Sequence, residues 1–147
     1  GSDDVNNENG KRPLEDPGNE EGPAAKKTKT PSKVRVLHIL KKHKGSRRPS
    51  SWRNPKITST KEEATAELKG LLEILQEESG EDQRATFEEL ARTESDCSSA
   101  KRGGDLGFFG RKKMQPQFEE ASFALEIGQL SGIVETSSGV HLLLRVG

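Results

Sequence analysis

From Lys33 onward apolar and polar positions fall into ordered runs, whereas residues 1–32 hold only Val5 and Leu14 as large apolar groups. Val34, Val36, His38 and Leu40 alternate with Arg35, Leu37, Ile39 and Lys41. This period of two predicts a strand with apolar groups on both faces, and therefore covered on both. Residues 45–55 read as a long loop, followed by Thr60-Lys61-Glu62-Glu63, a capping box. Ala64, Leu68, Leu71, Leu72 and Leu75 then share one helical face, with Ser79-Gly80 as a stop. A second capping box, Thr86-Phe87-Glu88-Glu89, predicts a shorter helix with Phe87, Leu90 and Ala91 inward. Gly103, Gly104 and Gly107 bracket a short strand over 106–109. Pro116 suits the first turn of a helix carrying Phe118, Ala121, Ser122 and Leu125 on one face, ended by Gly128. Residues 133–136, the Ser137-Ser138-Gly139 turn and residues 140–146 read as a hairpin. The order is that of an α+β domain over 33–147.

The first 32 residues contain Pro13, Pro17, Pro23 and Pro31, no aromatic group and many polar ones. Such a segment buries too little to offset its ordering entropy and is expected to be a disordered tail. Gly1-Ser2 reads as an expression scar. No run approaches the roughly 20 apolar residues of a membrane helix, and the first residues are polar, so neither a span nor a secretory signal is expected. The single cysteine, Cys97, rules out an internal disulfide or a multi-cysteine zinc site within this sequence and suits a reducing compartment.

Charge alters the picture more than composition does. The 24 basic and 24 acidic residues cancel, yet no acidic residue occurs from Gly22 through Lys61. An anionic partner is expected for that stretch. Within the tail, Lys11-Arg12 and Ala24-Ala25-Lys26-Lys27-Thr28-Lys29 resemble a bipartite nuclear-import signal, giving an expected location in nucleus and cytoplasm.

His38 and His141 fall inside the first and last strands, and Thr136 and Ser138 supply hydroxyls able to fix imidazole tautomers. Cys97, within Ser95-Asp96-Cys97-Ser98-Ser99, reads either as a nucleophile or as a small, partly buried apolar group. Lys42, Arg47 and Arg48 can surround one phosphate with charge-assisted hydrogen bonds; a solvated basic loop or a nucleic-acid patch has the same composition. Only Trp52 accompanies these charges, which argues against a stacking platform for single strands. No zinc spacing occurs and the Gly103-Gly104-Gly107 stretch lacks the form of a nucleotide loop, so neither a metal nor another cofactor is expected.

Together, 34–43 (VRVLHILKKH), 46–53 (SRRPSSWR), 95–100 (SDCSSA), 104–107 (GDLG), 118–125 (FEEASFAL) and 138–141 (SGVH) resemble the parvulin peptidyl-prolyl isomerases, in their phosphorylation-directed Pin-type branch. The resemblance covers 33–147 and implies a four-stranded antiparallel sheet surrounded by four helices. It implies that Lys42, Arg47 and Arg48 hold the phosphate of a phosphoserine or phosphothreonine preceding proline. It implies that Leu106, Met114 and Phe118 form the proline pocket, and that His38, Cys97, Thr136, Ser138 and His141 line the place where the bond turns, with Gln115 and Ser98 nearby. Cys97 is then a polar neighbour of the carbonyl, not an acylating nucleophile.

Many Pin-type enzymes carry a WW domain, but the only tryptophan here, Trp52, belongs to the domain motif, so no separate phosphopeptide module is expected in these residues. Thr30-Pro31 is a dipeptide such a site would recognise once phosphorylated, and Ser50, after Arg47-Arg48-Pro49, resembles a basophilic kinase site. Expected partners are phosphorylated Ser/Thr-Pro proteins, with no nucleic acid, no membrane and a monomeric state. The competing readings are a phosphopeptide adaptor with little turnover, a nucleic-acid-binding protein and a cysteine hydrolase.

Overall fold

The computed structural model describes residues 31–147. The two basic clusters and Thr30 lie outside the described residues, as does nearly all of the tail expected over 1–32. The elements are β1 (Val34–Lys41), α1 (Lys61–Gln76), α2 (Gly80–Glu94), a 3-10 turn (Ser98–Arg102), β2 (Asp105–Phe109), α3 (Pro116–Ala124), β3 (Val134–Thr136) and β4 (Gly139–Arg145). The strands form one antiparallel sheet in the order β2-β1-β4-β3. Of the four helices the resemblance implies, three are α-helical and the fourth is the 3-10 turn.

The central pair sets the layers. β1 and β4 run in unbroken register from Val36 opposite Arg145 to Lys41 opposite Val140. One face of this pair carries Leu37, Ile39, Val140, Leu142 and Leu144 against Ala64, Leu68 and Leu75 of α1 and Phe87 and Ala91 of α2. The other carries Val34, Val36 and Leu143 against Phe109 and Phe118. Fully burying one such aliphatic side chain is worth about 1.5–3 kcal/mol, so the two-sided pattern of β1 is what fastens the helices to it.

α1 starts at the predicted capping box: Thr60 Oγ1 accepts from Glu63 N at 3.1 Å and Glu63 Oε1 accepts from Thr60 N at 2.8 Å. Its end differs from expectation. Gly80 opens α2, and Thr86 lies inside that helix and does not cap it. The reason is Gln83, whose buried amide donates to the carbonyls of Leu75 and Glu78 at 2.9 and 3.0 Å. These bonds satisfy carbonyls at and just past the end of α1 from the first turn of α2, so the chain turns back within residues 77–79. The buried stripe Gln83, Phe87, Ala91 then carries the helix through Thr86. α3 stops at Ala124 with Leu125 as its cap, before Gly128 is reached.

β2 joins the sheet through a register shift between Arg35 and Leu37, where Gly104 O accepts from His38 N at 2.9 Å. Gly104 has φ +85, and a Cβ there would overlap the His38 carbonyl oxygen. Gly107 has φ +73 but open space around it. Gly107→Ala should therefore cost only the left-handed strain, about 1–2 kcal/mol. Gly104→Ala should cost clearly more, about 3 kcal/mol or above, because strain and overlap add. Denaturant midpoints of the two variants check the difference; equal losses would contradict the close approach.

Candidate active site

β1 and β4 place His38 and His141 diagonally across one face, His141 standing opposite Leu40 and His38 opposite Leu143. Both are 4% exposed, and their Nδ1 atoms lie 3.2 Å apart. His141 Nε2 lies 2.7 Å from Thr136 Oγ1, which also accepts from Ser138 N at 3.1 Å. Burial pushes His38 down to about 4, and burial followed by the neighbouring His38 pushes His141 down to about 3, so both rings are neutral at pH 7.

Two neutral rings bonded Nδ1 to Nδ1 must be opposite tautomers. Either His141 Nδ1–H donates to His38 while Thr136 donates to His141 Nε2, or His38 Nδ1–H donates while His141 Nε2–H donates to Thr136. Among the described residues His38 Nε2 has no partner. Phe118 closes the pair, its ring edge-on to His38 at 5.4 Å and to His141 at 5.1 Å.

A cavity of about 270 Å³ opens over this pair, lined also by Leu40, Cys97, Leu106, Lys113, Met114, Gln115, Thr136 and Ser138. Leu106 and Met114 pack on the same apolar cluster as Phe118. Gln115, at the start of α3, braces the hairpin turn: its Nε2 donates to Ser138 Oγ at 2.8 Å, and its Oε1 accepts from Ser137 N and Oγ at 3.1 and 2.8 Å. A second cavity, about 350 Å³, is lined by Lys42, Arg47, Arg48 and again Ser138. Ser138 is thus the junction between an apolar cavity and a basic one. The exception among the predicted residues is Ser98, which lines neither and faces a third cavity with Trp52, Arg92 and Lys101. The 3-10 turn starting at Ser98 separates it from its neighbour Cys97.

Cys97 Sγ accepts from Ser99 N at 3.5 Å and caps that turn. Among the described residues Cys97 Sγ makes no hydrogen bond to either imidazole, and the rings' Nδ1 atoms face each other, so Cys97 is not set up as one half of a nucleophile–base pair.

Asp96, named in the motif but given no role by the sequence, organises the basic loop. It is 6% exposed; its Oδ2 accepts from Lys42 N at 2.8 Å and its Oδ1 from Ser51 Oγ at 2.9 Å and Arg53 Nη1 at 3.4 Å. Ser95 Oγ beside it accepts from Leu40 N at 3.0 Å, and Leu40 O accepts from Asp96 N at 2.7 Å. Residues 95 and 96 therefore extend the end of β1 and hold both ends of the loop that carries Arg47 and Arg48. Arg47 N donates to Ser137 O at 2.8 Å, tying the loop to the hairpin turn, and Lys42 Nζ donates to Ser50 O at 2.7 Å. The place of Asp96 directly before Cys97 carries no signal of this role in the sequence. Among the described residues no group of three or more His, Cys, Asp or Glu could hold a metal ion.

Comparison with known proteins agrees with this architecture. Residues 38–146 match the Rotamase family, described as a PPIC-type PPIASE domain. The chain is 60% identical over 115 residues to the putative peptidyl-prolyl cis-trans isomerase dodo of Drosophila melanogaster, covering 78% of this chain and 66% of that protein. It is 53% identical over 116 residues to peptidyl-prolyl cis-trans isomerase Pin1 of Arabidopsis thaliana, covering 76% and 93%. The solved structure of the peptidyl-prolyl isomerase ESS1 from Candida albicans superposes with a TM-score of 0.69 at 48% identity, covering 79% of this chain and 63% of that one. The chain thus spans about two thirds of the fly protein's length.

Two measurements follow from the site's geometry. The unfolded chain binds protons at both histidines near 6.5, while the native pair resists them to about 4 and about 3. Stability should therefore be undiminished above pH 6.5, fall as pH drops below it, and stop falling from this source near pH 4 for His38 and pH 3 for His141, His38 alone accounting for roughly 3 kcal/mol. Ring signals of His38 and His141 should stay those of neutral imidazole at pH 5.5 by NMR; protonation near 6.5 would contradict the buried neutral pair. For Asp96→Ala, three donors lose their acceptor, and a stability loss of about 1–3 kcal/mol is expected. Asp96→Asn, which still accepts from Lys42 N, should recover part of it in the same denaturation experiment.

Proposed function

The chain belongs to the parvulin-type peptidyl-prolyl cis-trans isomerases, and from that membership we propose that it acts on prolyl bonds preceded by phosphoserine or phosphothreonine. The observation that carries this reading is the meeting of two unlike cavities at Ser138. Lys42, Arg47 and Arg48 offer an ammonium and two guanidinium forks, a donor set matched to a phosphate dianion. Leu106, Met114 and Phe118 offer an apolar seat for the proline ring. A phosphorylated residue directly before proline puts the phosphate and the proline ring on adjacent residues, in keeping with two cavities that share Ser138.

The chemistry asked of the site is rotation, without bond cleavage. A peptide bond resists rotation by about 18–20 kcal/mol, and prolyl exchange in water takes on the order of 10–100 s. Holding the phosphate on one side and the ring on the other applies binding energy to the amide between them, favouring its twisted form. Twisting withdraws the nitrogen lone pair from resonance and reduces charge separation, which an apolar cavity with neutral imidazoles accommodates better than water does. Cys97 then acts as a polar neighbour of the amide, and His38, Thr136 and His141 as the fixed wall against which it turns. Gln115 and Ser138 keep that wall in register with the basic loop.

Matched peptides containing phosphoserine-Pro, Glu-Pro and Ser-Pro test reaction and preference in one isomerisation series. Strong preference for the phosphopeptide is expected, and Arg47→Ala with Arg48→Ala should reduce its kcat/KM by roughly a hundredfold while sparing Ser-Pro. The preference should also weaken below about pH 6, where the phosphate becomes a monoanion. Equal turnover of all three peptides would remove the phosphate anchor. Tight phosphopeptide binding without acceleration would make the protein an adaptor.

A further inference from the structure

The third cavity, about 330 Å³, is lined by Trp52, Arg92, Ser98 and Lys101 and has no part in the function proposed above. Trp52 is 57% exposed, yet its Nε1–H donates to Ser95 O at 2.9 Å, so the indole face is held outward in one orientation. A fixed, exposed aromatic surface of this kind is what a partner chain packs on.

Two cations flank it. Arg92 lies in the last turn of α2 and Lys101 in the 3-10 turn, both exposed. Among the described residues neither has an ion pair. Glu88, one turn before Arg92, is held by Arg84 at 3.2 Å. Arg53, the next guanidinium along from Trp52, is matched by Asp96 at 3.4 Å and Glu94 at 3.9 Å. The cavity therefore combines an apolar floor, a hydroxyl and two uncompensated positive charges, which is complementary to an anionic group on a short aliphatic stem.

Its position gives that group a source. Cys97 lines the cavity over the histidine pair and Ser98 lines this one, and consecutive Cα atoms are about 3.8 Å apart. At about 3.3–3.6 Å per extended residue, two to four residues of a bound peptide span roughly 7–14 Å, more than the separation of these neighbouring backbone positions.

We infer that the Trp52–Arg92–Ser98–Lys101 cavity is a second anchoring subsite, taking an acidic side chain, carboxylate or phosphate, carried by the same substrate chain two to four residues from the isomerised proline. The inference rests on the proposed substrate class and adds a specificity element to it. Because the group held there is remote from the twisting amide, it binds ground and transition states alike and acts on KM more than on kcat.

The test walks one glutamate, and in a parallel series one phosphoserine, through positions four before to four after the proline of an otherwise neutral phosphoserine-Pro peptide. Isomerisation is measured with the wild type, with Arg92→Ala plus Lys101→Ala, and with Lys56→Ala plus Lys69→Ala, which removes the same charge elsewhere. At one position in the window the acidic group should lower KM roughly three- to tenfold in the wild type and in the Lys56/Lys69 variant. The Arg92/Lys101 variant should lose that gain while handling the neutral peptide normally. A larger gain for phosphoserine than for glutamate would identify a second phosphate as the preferred anion; the reverse would identify a carboxylate. No favoured position, or equal gains in all three proteins, overturns the subsite. The neutral phosphopeptide compared with its unphosphorylated form reports separately on the proposed function, so failure of either reading is visible without the other.

Discussion

Everything in the site hangs on the pairing of β1 with β4. These strands are buried on both faces, so a polar side chain on either must find a partner within the fold. His38 and His141 find each other on one face; on the opposite face Lys41, 3% exposed, finds Glu94 at 2.9 Å and Glu67 at 3.4 Å. That ammonium, through its hydrogen bond, holds the Glu94 carboxyl below the usual carboxylate range. A slip of β1 by one residue against β4 would turn His38 into the α1/α2 core, away from His141, and Leu37 and Ile39 out over the cavity. The apolar contacts of Leu37, Ile39 and Leu142 with the helices forbid that slip. The packing of one face thus fixes the chemistry of the other.

The segregated charges are sorted in a similar way. Several cations of the acid-free stretch are matched in the folded domain by acids from outside it: Arg35 by Asp105, Lys41 by Glu94, Arg53 by Asp96, and Lys61 by Glu135 at 2.7 Å. Arg47 and Arg48 are not so matched among the described residues, and they line a cavity with Lys42. Folding thus pairs part of the acid-free stretch and leaves Arg47 and Arg48, which line the basic cavity, without an ion pair among the described residues. Asp96 does much of this sorting, because one buried carboxylate accepts from the Lys42 backbone, Ser51 and Arg53 together.

The sequence discloses the elements whose determinants are local. The alternation of 34–41, the Thr60 capping box and the Pro116 start all appear in the structure where their patterns place them. The proximity of the two histidines follows once the first and last strands are neighbours. What the sequence does not disclose is decided by contacts between distant segments. Thr86 carries a cap signature, but Gln83 bonds the end of α1 and the helix runs through it. Ser98 adjoins Cys97, but a 3-10 turn sends it to another cavity. Asp96 looks like any surface acid until the loop from 42 to 53 folds over it, which only the three-dimensional chain reveals.

The neutrality of the histidine pair fits the proposed rotation for an electrostatic reason. A planar amide is stabilised by the resonance form that places negative charge on oxygen and positive charge on nitrogen. A cation held against the carbonyl would favour that form and raise the barrier the site must lower. Burial removes the difficulty, since it keeps both imidazoles uncharged where the bond turns. In the proposed reading the positive charge that would hold a phosphate is concentrated instead in the cavity beyond Ser138, where it would act on the neighbouring residue's side chain. Separating these environments by one hairpin turn, braced by Gln115, would let a strongly basic anchor and an uncharged wall serve adjacent groups of one substrate in the proposed reading. A rigid junction matters more here than a strong catalytic acid or base, because the reaction moves no proton and depends on holding two ends still while the bond between them turns.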